Sequence, residues 1–470
     1  MTFKVLTRKT RFFFWLTKGF LSRHFRGFLF SLALIAIAFL SIKYIVPKID
    51  FFQATYTEAI IGQYKEDKMP DRILKLLSHG LTKIEKDGTV LPDLAESWDT
   101  QDGGKTFIFH IKRGQTWNDG TPLNGQNLNI YFDKVKTTYQ LDFVKFELDD
   151  AFSPFPAVLS KPVFKKGTQV GMGNYNLEKV QQDNLGYLSK ITLRPARNGM
   201  PKLNFNFYPS RDNAILALKL GEVDGISDCP PNGDNLDDWP NLSIKKTVDS
   251  EKFVAVFLNT QDSMLSTKEV RQALDWAIER KDFPGRPALG PISSKTVFYN
   301  PATKNYNQDL SKAQDLLKDI PKEKRRITLT AMSNFKTLAE EIASDWKKID
   351  FQVEIKQVEN FDPANSDFQA LLAGQKVSTD PDQYTLWHST QDKTNITRIK
   401  SPKIDKLLED GRKTVDLEKR KEIYQDLQRA LADETPAIFL YNPESLYIIK
   451  KNSQGDIQKI MQATGNFWPN

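Results

Sequence analysis

Glu222 and Asp224 stand two residues apart at the start of an apolar run, a spacing that could serve a paired general acid and base. Acids at alternate positions beside a strand end are also ordinary turn chemistry, and no catalytic role is assigned to them. Cys229 is the only cysteine, so the chain has no intramolecular disulfide framework. No histidine and asparagine are grouped with it, and it reads as a small buried apolar residue. Outside the N-terminal region the histidines are His79, His110 and His388, none of them in a zinc motif. Glu147, Asp149 and Asp150 lack the spacing of an EF-hand and read as a solvated turn. Gly171 and Gly173 are followed by neither a third glycine nor Gly-Lys-Ser/Thr, so a phosphate cradle is not expected there. A tight backbone turn before a strand is. No nucleophile elbow and no Ser-His-Asp order is visible. The expectation is a protein with no catalytic residues, no metal ligands and no cofactor.

The elements that would position any binding group are legible. Residues 106–112 alternate, with Phe107, Phe109 and Ile111 on one face of a half-buried strand. Asn124 can cap a following helix whose core face would be Leu128, Tyr131, Phe132 and Val135. Residues 54–62 form a strand, and 73–81 a helix. Ser210 or Asp212 caps a helix that Gly221 ends, and a strand begins near Val223. Val270, Ala273, Leu274, Ala277 and Ile278 make the stripe of a helix capped by Thr267. Helices are expected at 309–319 and 416–434. Strand 326–331, helix 335–349 and strand 351–355 form a βαβ unit and so a parallel pair.

The chain has 470 residues and a formal net charge of +7. Its first fifty residues hold nine Lys/Arg and one acid, Asp50, leaving 57 basic and 58 acidic residues elsewhere. The globular part is therefore neutral, which argues against an electrostatic nucleic-acid footprint. The basic residues up to Arg26 precede an apolar run. With Lys43 snorkelling, residues 28–46 approach the roughly 20 needed to cross a bilayer. No small-x-small cleavage site and no lipid-accepting cysteine follow it. The expected organisation is a basic cytoplasmic tail (1–26), a transmembrane anchor (27–46) and a stalk (47–53), with everything beyond outside the cell.

Three stretches carry a family resemblance: Pro92-Asp93-Leu94-Ala95-Glu96-Ser97-Trp98, then Asp102-Gly103-Gly104-Lys105-Thr106-Phe107, then Trp117-Asn118-Asp119-Gly120-Thr121-Pro122-Leu123. With Gly221-Glu222-Val223-Asp224, Val270-Arg271-Gln272-Ala273-Leu274 and Ser401-Pro402-Lys403-Ile404-Asp405 in the same order, the chain resembles the family 5 solute-binding proteins of ABC importers. The resemblance covers about residues 54–450. It implies an α/β fold of two lobes, the type II periplasmic-binding-protein architecture of the large cluster-C kind, behind the single anchor. Residues 54–255 would form lobe I, with 75–165 inserted in it; 256–445 would form lobe II, and 446–470 would return to lobe I. A solute, a peptide or peptide-like compound, would be trapped as the lobes close and be passed to ABC permease subunits by a monomeric receptor. The family's cleft segments nominate Tyr56, Glu58, Tyr175, Asn259, Asp380 and Trp387 as ligand contacts, with Trp387→Ala expected to weaken binding and leave the fold intact. Glu58 could face a cationic group. In the peptide receptors an Asp three residues before the pair that matches Asp380-Pro381 holds the ligand's amino group; here Val377 occupies that position. Two alternatives remain at this point: an anchored surface hydrolase, and a sensing module that has lost transport.

Overall fold

A computed structural model describes residues 3–40, 54–231, 236–281 and 283–465. It divides into two compact units, Met1–Thr55 and Tyr56–Asn470. The described helix of the first is α1 (Phe3–Leu40), interrupted at His24, whose backbone is not helical (φ −120°, ψ 19°). Among the described residues no single helix is long and apolar enough to cross a membrane. A pair bent by 49°, Phe12–Phe20 with Ser22–Ile37, has the length and composition to do so together. Of the expected anchor, 41–46 lie outside the described residues, as does the stalk at 47–53.

The second unit opens with β1 (Thr55–Ile61) and α2 (Asp71–Leu77), followed by a hairpin of β2 (Thr82–Ile84) and β3 (Val90–Pro92). Next comes a four-stranded antiparallel sheet. Its order is β4 (Ala95–Gln101), β5 (Thr106–Ile111), β8 (Phe143–Glu147), β7 (Lys136–Tyr139). A short pair, β6 (Leu128–Asn129) with β9 (Phe164–Lys165), and a turn of helix, α3 (Phe155–Val158), close this region. The alternation in β5 works as read: Phe107, Phe109 and Ile111 are buried and pack with Phe146 and Phe155.

The helix expected after Asn124 does not form. Asn124 does cap, its side chain accepting from the amides of Gln126 and Asn127, but only a single 3-10 turn (Gly125–Asn127) follows. Asn127 is also held by Trp117 Nε1 and by the Pro122 carbonyl, which ties the turn off. Leu128 and Ile130 then go inward at a period of two, and Tyr131, expected in the core, is 82% exposed.

The large sheet has twelve strands. One half is the meander β10 (Tyr175–Gln182), β11 (Leu188–Pro195), β12 (Lys202–Tyr208), then β1, then β13 (Gly225–Cys229), parallel to β1. Between β12 and β13 lies α4 (Arg211–Leu220), capped by Ser210 and ended by left-handed Gly221 as expected. The other half holds β15 (Lys252–Leu258), β19 (Ala370–Lys376), β17 (Arg326–Met332) and β18 (Gln352–Val358). Here β17 and β18 are parallel across α7 (Lys336–Lys347), the βαβ unit expected from the sequence. Both halves share β20 (Ala437–Lys450). Its first residues pair with β15 and with the short β16 (Gly285–Pro287), and its last with β13 and with β14 (Leu242–Val248).

β15 is buried on both faces. Val254, Val256 and Leu258 pack under α5 (Lys268–Ala277), α6 (Leu310–Leu316) and α7. Phe253, Ala255 and Phe257 pack against α8 (Tyr384–Trp387), α9 (Pro402–Lys413) and α10 (Leu417–Glu434). The other half is covered by α2 and α11 (Gln454–Thr464) on one side and α4 on the other. The chain passes between the halves at 249–251 and again within β20. There the Asp249 amide donates to the Pro443 carbonyl (2.9 Å) and Asn442 Nδ2 to the Lys252 carbonyl (2.7 Å). The border expected at 255–256 falls inside β15.

Candidate functional site

The six nominated residues are all buried and are spread through the body. Tyr56 and Tyr175 sit in the core under α2 and α11, where the Tyr175 hydroxyl donates to the Pro201 carbonyl. Asn259 holds a loop, donating to the Phe368 carbonyl and accepting from the Gln261 amide. Asp380 accepts from both terminal nitrogens of Arg420 (2.8 and 3.0 Å). Trp387 packs in the core with Ile404, Leu408 and Phe439. Glu58 does face a cation, but one from its own chain: the Arg72 guanidinium grips both of its oxygens. Tyr56, Glu58 and Ile60 share the inward face of β1, so a carboxylate there must find a partner. Burial pushes the Glu58 carboxyl up, and Arg72 and the Ser227 hydroxyl pull it back only in part.

Beside this pair the edge of β13 is irregular. Ile226 faces Ile448 and Cys229 faces Leu446, so two residues, Ser227 and Asp228, oppose the single Tyr447. That is a β-bulge, which turns a side chain out of the ladder. Asp228 takes a left-handed backbone (φ 50°), is exposed, and accepts a hydrogen bond from the Tyr447 hydroxyl (2.6 Å). Burial first and Asp228 second hold the Tyr447 hydroxyl well above the usual tyrosine range. Across the junction, Lys252 at the head of β15 pairs with Asp249 (2.9 Å), and its charge reaches both Asp228 and Tyr64. The cluster thus holds two internal ion pairs, Glu58–Arg72 and Asp249–Lys252. Asp228 makes no ion pair among the described residues. It offers a carboxylate to solvent where the two halves of the sheet meet.

Sequence reasoning missed Arg72, Asp228, Lys252 and Tyr447. One signal was available for Arg72, the carboxylate on the inward face of β1. None pointed to the bulge, which depends on the register between β13 and β20. Val377, at the position of the missing acid, is buried in the core, its amide bonded to the Glu251 carbonyl. A cavity of about 20 Å³ among Asp275, Arg280, Tyr306 and Phe439 has room for about one water. Among the described residues no group of three His, Cys, Asp or Glu side chains could hold a metal ion.

The family model of the bacterial extracellular solute-binding proteins, family 5, matches residues 89–140 and 133–396. The chain belongs to this family. Family 5 members are binding proteins, and this chain is likewise not an enzyme; its solute-binding body works outside the cell membrane. It is similar to the oligopeptide-binding protein AppA of Bacillus subtilis, 23% identical, with 83% of this chain and 85% of the relative covered. It is also similar to di/tripeptide-binding protein 1 of Pseudomonas aeruginosa, 26% identical over 80% of this chain and 85% of the relative. The crystal structure of the ABC transporter substrate-binding protein CtaP of Listeria monocytogenes superposes with a TM-score of 0.71 at 21% identity. It covers 85% of this chain and 94% of that one. At that identity the likeness speaks for the fold, which is the two-lobe α/β periplasmic-binding-protein fold.

Proposed function

We propose that this family 5 protein is a membrane-anchored receptor that closes its two lobes on a peptide or peptide-like solute and delivers it to ABC permease subunits. Relatives named for oligopeptide and di/tripeptide binding support the solute class. The lobes would be 54–255 with 446–470, carrying 75–165 as an insert, and 256–445. The two crossings at 249–251 and 442–444 would serve as the hinge. Residues 27–46 would anchor a monomeric receptor with its N-terminus in the cytoplasm. Most of the nominated contacts then act as walls and supports of the cleft rather than as its polar anchors.

The observation that carries this reading is Asp228: an exposed carboxylate outside any described ion pair, held by Tyr447 at the junction between the lobes. A free α-amino group is the peptide feature that such a carboxylate fits. With Val377 apolar, Asp228 takes over the role of the anion that the resemblance places there. Native mass spectrometry of the 54–470 body identifies retained solute, and calorimetry then compares Asp228→Asn with the parent protein. The amide keeps the shape and the Tyr447 contact but loses the charge. Affinity for a free-amine peptide is expected to fall about tenfold or more, while an N-acetylated peptide binds both proteins equally. Equal affinity for the free amine would remove Asp228 from the site.

A further inference from the structure

In α1 the sequence places Lys4, Arg8, Arg11, Trp15, Lys18 and Ser22 at i, i+4, i+7, i+11, i+14 and i+18, one face of a helix. Phe13, Leu16 and Phe20 fall on the opposite face, each more than half exposed. Lys18 lies over the Trp15 ring (5.7 Å) on the basic face. A helix of 38 residues is about 57 Å long at 1.5 Å per residue. The hydrocarbon core it would have to cross is about 30 Å thick. The helix cannot all lie inside that core; its segments Phe12–Phe20 and Ser22–Ile37 bend by 49° to one another, and His24 just beyond has a non-helical backbone. On the far side of the break come Gly27, Leu29, Phe30 and the apolar run; on the near side come aromatics interleaved with cations. The only acid in the first fifty residues is Asp50.

We propose that the segment before His24 is an interfacial helix that lies along an anionic phospholipid surface and is not a solvated tail. Its Phe13, Leu16 and Phe20 face enters the headgroup boundary, and its basic face pairs with lipid phosphates. The bend after Phe20, with the break in helical backbone at His24, lets one helix lie flat while the next enters the bilayer. This rests on the anchor reading for its orientation, and the two are separable in one experiment.

The single cysteine is buried, so a Cys229→Ala background gives clean labelling. Full-length protein in bilayer discs of phosphatidylcholine, with and without phosphatidylglycerol, carries a spin label at successive positions from Phe12→Cys to Ser22→Cys, and at Ile35→Cys. Collision with oxygen and with a water-soluble nickel chelate is measured at each. The expected result is a 3.6-residue oscillation from 12 to 22, with positions 13, 16 and 20 lipid-accessible and 18 and 22 water-accessible. Its amplitude should grow at least twofold with phosphatidylglycerol and shrink by a similar factor in the Arg8→Gln/Arg11→Gln/Lys18→Gln variant. Uniform water access from 12 to 22 overturns the proposal, and so does uniform lipid burial, which would mean that the bent pair as a whole crosses. The label at Ile35→Cys reports on the anchor alone: water access there defeats the anchor, whatever the pattern at 12–22.

Discussion

Asp228 and Asp275 are two carboxylates in opposite situations. Asp228 is exposed on a left-handed backbone, accepts from the Tyr447 hydroxyl and feels the charges of Lys252 and Arg72. Asp275 is buried beside Arg280, and burial, only partly offset by that guanidinium, raises its carboxyl to about 6. Ordinary carboxylates titrate near 4 when the chain is unfolded. Between those values the folded protein holds a proton that the unfolded chain has released. The stabilisation from Asp275 is therefore full below about pH 4 and is lost as the pH rises towards 6. Denaturant titrations of the parent and Asp275→Asn from pH 4 to 7 should show the parent's relative stability falling over that window. Parallel pH curves would contradict the shift. Trp387 teaches a related lesson. It is 1% exposed, so Trp387→Ala opens a cavity in the core and should cost about 3–5 kcal/mol. A melting temperature lowered by several degrees, and not an intact fold with weaker binding, is the expected outcome.

At the scale of elements, the Gly171 and Gly173 pair suggests a tight turn by sequence. Neither takes a left-handed backbone. They are glycines because the chain runs against the end of α2, where a Cβ would drive into the carbonyl oxygens of Leu77 and Leu76. The Gly173 amide in fact donates to the Leu77 carbonyl (2.8 Å). Gly173→Ala should cost about 1–3 kcal/mol by forcing α2 and β10 apart; unchanged thermal unfolding would show that α2 can yield. Arg271, inside a family motif, is explained in the same way. It lies buried in α5 and donates to the carbonyls of Leu265, Ser266, Glu434 and Thr435, joining a loop to the end of α10. Such motif residues mark the fold and not the ligand.

In the whole molecule, β20 belongs to both halves of the large sheet, and the connection at 249–251 runs beside it. On the proposed reading, a solute bound across this junction would be held only when both lobes are folded and closed, and so would stabilise the native state as a unit. At a hundredfold excess over Kd the gain is about 2.7 kcal/mol. Calorimetric scans of the 54–470 body with the identified solute should show one upshifted transition. An unmoved transition at saturating solute would place the binding site elsewhere.

Residue order alone determined the family, through motifs that encode turns, caps and close backbone approaches. It also determined the strands and helices whose apolar periodicity is strong, among them β5, α4, α5 and the β17–α7–β18 unit. These depend on neighbours within a few residues. The Asn124 segment is ambiguous in sequence because its apolar residues suit a 3.6 or a 2 period, and the Asn127 contacts with Trp117 and Pro122 settle it. The cluster around Glu58 and Asp228 was not legible for a stronger reason. Arg72 meets Glu58 across fourteen residues, and Tyr447 meets Asp228 across 219. Which carboxylate is paired inside the protein and which is exposed is decided by strand register and burial, and the register that exposes Asp228 exists only once β13 has met β20.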